Sequence, residues 1–206
     1  MSSFENPLAR WNERFSAEGY LFGEAPNAWL TGQHARLRPG TALALADGEG
    51  RNSTWLAEQG LQVEAFDFSP VAVAKARQLA ARRGVAVDFQ CAAWQDFNWG
   101  QARFDNVVGV FFQFADPAER AELFALMDQA LRPGGMLFIL GYGRDQLRYN
   151  TGGPGKLEHF YDEDMLLQAF PRYAVLELRH FVDVIHEGSG HSGPSDLVAF
   201  AARKPG

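Results

Sequence analysis

Apolar residues recur along this chain with two alternating periods, one near two residues and one near 3.6, and the switches mark strand and helix boundaries. The run Leu43-Ala44-Leu45-Ala46 predicts a buried strand over 41–46. Val63-Glu64-Ala65-Phe66, ending on Asp67, predicts a second over 62–67. Three more are expected over 86–91, 104–112 and 136–142. A helix over 52–59 is stopped by Gly60. Ser69-Pro70 supplies a cap and a first-turn proline for a helix ending near Gly84. Asp116-Pro117-Ala118-Glu119 opens another, with Leu123, Met127, Ala130 and Leu131 on one face. A short helix is expected over 162–170. Ahead of the first strand lie two more, 8–18 around Trp11 and Phe15, and 26–36 with Pro26 in its first turn. The apolar runs 174–185 and 195–203, joined by a glycine-rich connection over 186–194, read as an antiparallel hairpin.

Strands alternating with helices imply an α/β fold on a mostly parallel sheet. A chain of 206 residues buries a full core without disulfides or metals. We expect one domain over 1–206, with 1–36 a helical lid or strap and 37–206 the sheet core. The net charge of −6 argues against a nucleic-acid partner. Lys75, Arg77, Arg82 and Arg83 read as a solvated helix face. Cys91, the lone cysteine, sits in an apolar run and reads as a buried core residue. It has no internal disulfide partner, which suits a cytoplasmic location. No apolar run reaches the ~18 residues of a membrane span, so no membrane association is expected. Leu-Arg-Pro-Gly occurs at 37–40 and 131–134, each time before a strand, as turn chemistry.

Candidate chemistry begins where the first strand meets Asp47-Gly48-Glu49-Gly50-Arg51-Asn52. Glycine admits positive φ and lets a ligand lie against backbone. The following helix start offers N–H groups and partial positive charge. Asp67 ends the second strand twenty residues after Asp47, the spacing at which an acid accepts from ribose hydroxyls. Ser53 stands where a dinucleotide fingerprint has its third glycine. The pattern is that of a nucleoside-binding strand pair.

Gly48-Glu49-Gly50-Arg51-Asn52-Ser53 with Asp67, then Phe104-Asp105-Asn106-Val107-Val108, then Leu131-Arg132-Pro133-Gly134-Gly135, resembles the class I S-adenosylmethionine-dependent methyltransferases. The Gly-x-Gly-Arg-Asn form is similar to the small bacterial branch around the tellurite-resistance and thiopurine methyltransferases. By motif the resemblance covers about residues 35 to 142. It implies a three-layer sandwich whose seven-stranded sheet runs 3-2-1-4-5-7-6 with strand 7 antiparallel. It also implies S-adenosylmethionine as cofactor and S-adenosylhomocysteine as product. Carried over by position, Ala46, Asp47, Gly48, Gly50 and Asn52 hold the methionine part and Asp67 the ribose. Phe68 stacks near the adenine, Ala92, Ala93 and Trp94 cradle it, and Phe111 borders the site. The chain departs from the family at Ala46, usually glycine, and at Ala44 and Ala93, often acids.

A sulfonium methyl is already activated, so such a protein mainly orients the reactants and excludes water, which is worth ~7–11 kcal/mol in favourable cases. No catalytic dyad is evident in the sequence, and a general base is needed only for an acceptor that carries a proton. On the acceptor side we expect Gln113, Tyr142 and His191 to face substrate, with Gln146 and the loop 149–154 nearby. The segment 20–27 is expected to close the site or strap the domain. His186 and His191, five apart without a thiol, give no metal expectation. The partner expected is a small molecule bearing a soft sulfur, selenium or tellurium atom, or a hydrophobic amine or alcohol, taken up by a monomer or homodimer. A non-catalytic nucleoside-binding domain and a nicotinamide oxidoreductase remain the alternatives, the latter disfavoured by Ser53 and by the Pro-Gly-Gly strand entry.

Overall fold

The computed structural model describes residues 6–149 and 151–206. Strands β1 (Thr41–Leu45), β2 (Gln62–Asp67), β3 (Val87–Cys91), β4 (Phe104–Val110) and β5 (Leu131–Tyr142) run parallel. β7 (His191–Arg203) pairs antiparallel with both β5 and β6 (Ala174–Glu187). The order is β3-β2-β1-β4-β5-β7-β6, as the resemblance implied. The period-two pattern of β1 divides its side chains between two cores. Leu43 and Leu45 join Leu123, Phe124 and Met127 of α5 (Pro117–Ala130) and Leu166 of α6 (Glu163–Ala169). Ala42 and Ala44 join Leu56 of α3 (Arg51–Glu58) and Val73 and Ala76 of α4 (Pro70–Arg83) on the other face. Three layers follow from that alternation.

Local cap chemistry sets the helix ends. Ser69 accepts from the Ala72 N–H ahead of Pro70, and Gly84 closes α4 at φ +70°. Asp116 and Glu119 form a full capping box at α5. Two helices differ from expectation. α1 spans Pro7–Phe15 only, because Ser16 turns its N–H and hydroxyl back onto the Asn12 carbonyl. α2 is short, Ala28–Gly32, followed by a 3₁₀ turn at His34–Arg36. Its cap is Asn27, whose side chain accepts from the Leu30 N–H, so Pro26 lies outside the helix.

The hairpin is longer than its composition suggested. Pairing continues through Pro194, Gly193 and Ser192 until Glu187 faces His191, leaving only Gly188-Ser189-Gly190 as the turn. β5 pairs with β7 from Leu197 to Arg203, so residues 191–196 pair with β6 alone. Pro194 is tolerated there because that flank has no ladder partner. The hairpin tip thus rises past the carboxyl end of β5.

Two expectations are corrected. Cys91 is exposed, since it ends β3, the edge strand, which pairs only with β2. The α4 cations are not simply solvated: Lys75 Nζ donates to the carbonyls of Ala17 and Gly19 and pairs with Glu49, while Arg77 donates to the Phe89 carbonyl. Among the described residues no helix is long and apolar enough to cross a membrane.

Candidate functional site

The carboxyl ends of the parallel strands open into a cavity of about 510 Å³, a size that suits a small ligand. The glycine turn borders it at the end of β1, the middle one of the five parallel strands. Ala46, Gly48 and Gly50 all have positive φ, at 46°, 61° and 87°. Ala46 holds without glycine's freedom the conformation that explains why the family favours glycine there. A Cβ on Gly50 would meet Ala76 Cβ at 2.6 Å, so this glycine lets α3 and α4 close on each other.

Two carboxylates organise the turn. Asp47 accepts from the Ser53 backbone N–H and hydroxyl, so the residue in the third glycine place fastens the turn to α3. Asp67 accepts from the N–H groups of Gly48 (3.0 Å) and Ser69 (2.9 Å). A carboxylate offers about four lone-pair positions, so both oxygens keep one for a further donor. Burial pushes Asp47 up to about 7 and Asp67 up to about 6, against hydrogen bonds that favour ionisation. Phe68, Ala92, Ala93 and Trp94 border the same cavity on the β2–β3 side. Gly50 lies behind the turn rather than in the cavity wall. Asn52 borders the cavity, but its side-chain oxygen accepts from the Asn27 N–H.

On the β4–β5–β7 side stand Phe111, Gln113, Tyr142 and His191. Phe111 has φ +55°, and this strained position turns its ring toward Tyr142 and His191, at centroid distances of 4.7 and 4.4 Å. Gln113 is corrected as a substrate hydrogen-bonder. Its amide donates to the carbonyls of Tyr142 and His159 and accepts from the Tyr142 N–H, which makes it a brace between β4 and β5. Gln113→Ala would remove these bonds to buried backbone groups, although the Tyr142 carbonyl keeps the Tyr161 N–H. We expect a loss of about 2 kcal/mol of stability in denaturant unfolding, with S-adenosylhomocysteine affinity unchanged by calorimetry. Tyr142 Oη and His191 Nδ1 are buried without hydrogen-bond partners, and burial raises the Tyr142 pKa. Of the loop 149–154, Gly152, Gly153 and Pro154 border the cavity, and Asn150 lies outside the described residues. Gln146 instead bonds Thr151 and the Asp196 N–H.

Trp11, Arg14 and Phe22 line the cavity roof, and Trp11 stacks on Phe15 at 5.3 Å. The sequence predicts a lid or strap over 1–36, with 20–27 as the segment that closes the site or straps the domain, but it assigns none of these side chains to the site. The aromatics before the first strand were their only signal. The roof is fastened by residues of the glycine turn. Glu49 accepts from the Leu21 N–H and pairs with Lys75 at 3.0 Å. Arg51 pairs with Glu187 of the hairpin at 2.6 Å. Ser69 Oγ donates to Asn12 Oδ1. Among the described residues no group of three His, Cys, Asp or Glu side chains is placed to hold a metal ion.

A family model described as a methyltransferase domain matches residues 42–135, the span from β1 to the entry of β5. The chain is 30% identical over 192 residues to "Hemagglutinin 1" of Eikenella corrodens, covering 86% of this chain and 61% of that protein, so it spans about three fifths of that relative. The structure reported for "Conversion of a Disulfide Bond into a Thioacetal Group during Echinomycin Biosynthesis" superposes with a TM-score of 0.74 at 20% identity, over 96% of this chain and 89% of that one. The N-methyltransferase NodS from Bradyrhizobium japonicum WM9, in complex with S-adenosylhomocysteine, superposes at 0.70 with 14% identity, over 98% of this chain and all (100%) of NodS. Residues 42–135 match a methyltransferase domain, and with this strand order the chain has the Rossmann-like fold of the S-adenosylmethionine-dependent methyltransferases.

Proposed function

We propose that this chain transfers a methyl group from S-adenosylmethionine to a small-molecule acceptor. The observation that carries it is the single cavity itself. A ribose-type acid and an N–H-bearing glycine turn lie toward one side, and an aromatic chamber toward the other, under one roof. The donor set suits an adenosyl sulfonium. Asp67 keeps two lone pairs for ribose hydroxyls, Phe68 and Trp94 offer apolar surface to a base, and the turn backbone faces the amino-acid end. When bound, the cofactor supplies an activated methyl whose leaving group is a neutral thioether. The protein's own residues do the rest. Trp11 and Phe22 act as a lid that excludes water, and Phe111 with Tyr142 fixes the acceptor's approach. The branch resemblance of the glycine turn and the sulfur chemistry named for the echinomycin structure favour a sulfur acceptor. Exposed, unpaired Cys91 suits a reducing, cytoplasmic compartment.

Calorimetry with S-adenosylhomocysteine and with NAD, followed by turnover of methyl-labelled cofactor against a panel of thiols, phenols and amines, tests this. We expect heat with S-adenosylhomocysteine only, and label in at least one acceptor. Heat with neither compound, or with NAD alone, would remove the assignment. Binding without transfer to any acceptor would favour a non-catalytic domain.

A further inference from the structure

The β6–β7 register ends with Glu187 opposite His191. Directly opposed residues on an antiparallel pair bring their side chains together, and here the tip carries that pair over the cavity. His191 Nδ1 lies 3.6 Å from Glu187 Oε2, an ion-pair distance that is long for a hydrogen bond. Glu187 is fixed from the far side: Arg51 Nη2 donates to Oε2 at 2.6 Å and Asn27 Nδ2 to Oε1 at 2.7 Å. The imidazole is clamped between rings, with Phe22 at 4.3 Å and Phe111 at 4.4 Å. Tyr142 stands edge-on at 5.6 Å. With Nδ1 turned to the carboxylate, ring geometry points Nε2 away from Glu187, and His191 borders the cavity.

Resting on the methyl-transfer reading, we propose that His191, oriented by Glu187, is the base that removes a proton from the acceptor, and that the acceptor still carries that proton at neutral pH, as an aryl alcohol or an arylalkyl thiol does. A carboxylate beside Nδ1 holds the proton on that nitrogen and leaves Nε2 as a lone pair. Distances of this kind shorten when substrate closes the site. The chamber suits an uncharged ring because Phe22, Phe111 and Tyr142 wall it. The unpaired Tyr142 hydroxyl keeps its proton and donates to the acceptor's oxygen or sulfur. In the step, the acceptor's X–H proton moves to His191 Nε2. The acceptor lone pair forms the X–C bond as the C–S bond breaks onto sulfur, and His191 later releases the proton to water. Each proton and electron pair is accounted for without a further reactant.

The charged and titratable groups facing the ring are Glu187 from β6, Arg51 from α3, Tyr142 from β5 and Arg14 from α1. Burial holds the imidazole below its ordinary pKa, with Glu187 acting against that shift. The base is therefore available throughout the neutral range and is lost only on the acid side.

The test compares wild type with His191→Gln on two probes, 4-nitrothiophenol, already a thiolate at neutral pH, and 4-methoxyphenol, still protonated. S-adenosylhomocysteine calorimetry runs in parallel. We expect both proteins to bind S-adenosylhomocysteine alike. The variant should lose roughly a hundredfold in kcat/KM on the phenol, lose its acid limb in the pH profile, and keep most activity on the thiolate. Equal losses on both probes overturn the base. Wild type that binds S-adenosylhomocysteine yet methylates neither probe overturns the acceptor class. Wild type that gives no heat instead removes the methyl-transfer reading beneath it. Imidazole nitrogen-15 shifts of the S-adenosylhomocysteine complex decide the matter if the variant fails to fold: a proton on Nδ1 supports the proposal and one on Nε2 overturns it.

Discussion

Gly50→Ala should cost this protein more stability than any other single methyl added to the glycine turn. The new Cβ would lie 2.6 Å from Ala76 Cβ and 2.8 Å from Ala76 Cα, and φ at this position is +87°. The left-handed backbone costs a non-glycine residue ~1–2 kcal/mol, and forcing α3 away from α4 adds ~1–3 kcal/mol. The sum, ~2–5 kcal/mol, lowers the melting temperature of a chain this size by roughly 5–15 °C. Thermal unfolding followed by circular dichroism checks it. Gly48→Ala is the internal control. Its Cβ would meet only the Phe15 ring at 3.6 Å, an ordinary contact, so only the backbone penalty applies. If both variants melt together, the close approach of α3 and α4 does not constrain the turn.

That contrast separates two roles that Gly48 and Gly50 share in the sequence. A Gly-x-Gly pattern announces positive φ, which is local, but not which glycine faces another helix. Much of the fold is local in the same sense. The Asp116–Glu119 box and the Ser69 cap with its Gly84 stop need only neighbouring residues, so they are legible from composition and spacing. The strand order was read from the family resemblance of the glycine turn, Asp67 and Pro-Gly-Gly, because period alone does not order strands.

What stayed hidden depends on partners far along the chain. Gln113 looks like a free loop amide until Tyr142 and His159 arrive on either side of it. Lys75 looks solvated until the carbonyls of Ala17 and Gly19 fold over it. Glu187 becomes part of the site only because Asn27 and Arg51 meet it across more than a hundred residues. The hairpin length escaped for another reason. Glycine and proline signal a loop by composition, yet Gly193 and Pro194 sit in a pair free of a third strand, where neither is penalised.

Asp67→Ala should weaken S-adenosylhomocysteine binding by about 150-fold. Two ribose hydroxyls donating to an ionised carboxylate are worth ~1.5 kcal/mol each at the low end, and ~3 kcal/mol is a factor of about 150. Calorimetry at pH 7.5 measures it, and an unchanged affinity would remove Asp67 from the cofactor site. Wild type carries the same information in its pH dependence. Hydroxyl donors need the ionised acid, and burial pushes Asp67 up to about 6. Affinity should therefore fall as pH drops through 6, approaching tenfold per unit below it. Folding responds with the opposite sign. An acid whose pKa is raised on folding binds more protons in the native than in the unfolded chain between its two values. The stability contributed by Asp67 and Asp47, the latter raised to about 7, is full below the unfolded value near 3.8. It declines as pH rises toward 6 and 7. The ligand-free protein should be most stable under mildly acidic conditions, where it binds cofactor least. Bound cofactor reverses that trend, because ribose hydroxyls stabilise the charged form of Asp67 that burial disfavours. The shift in melting temperature on adding S-adenosylhomocysteine should therefore grow from pH 5 to pH 7.5, and a shift independent of pH would show that Asp67 does not face the ligand.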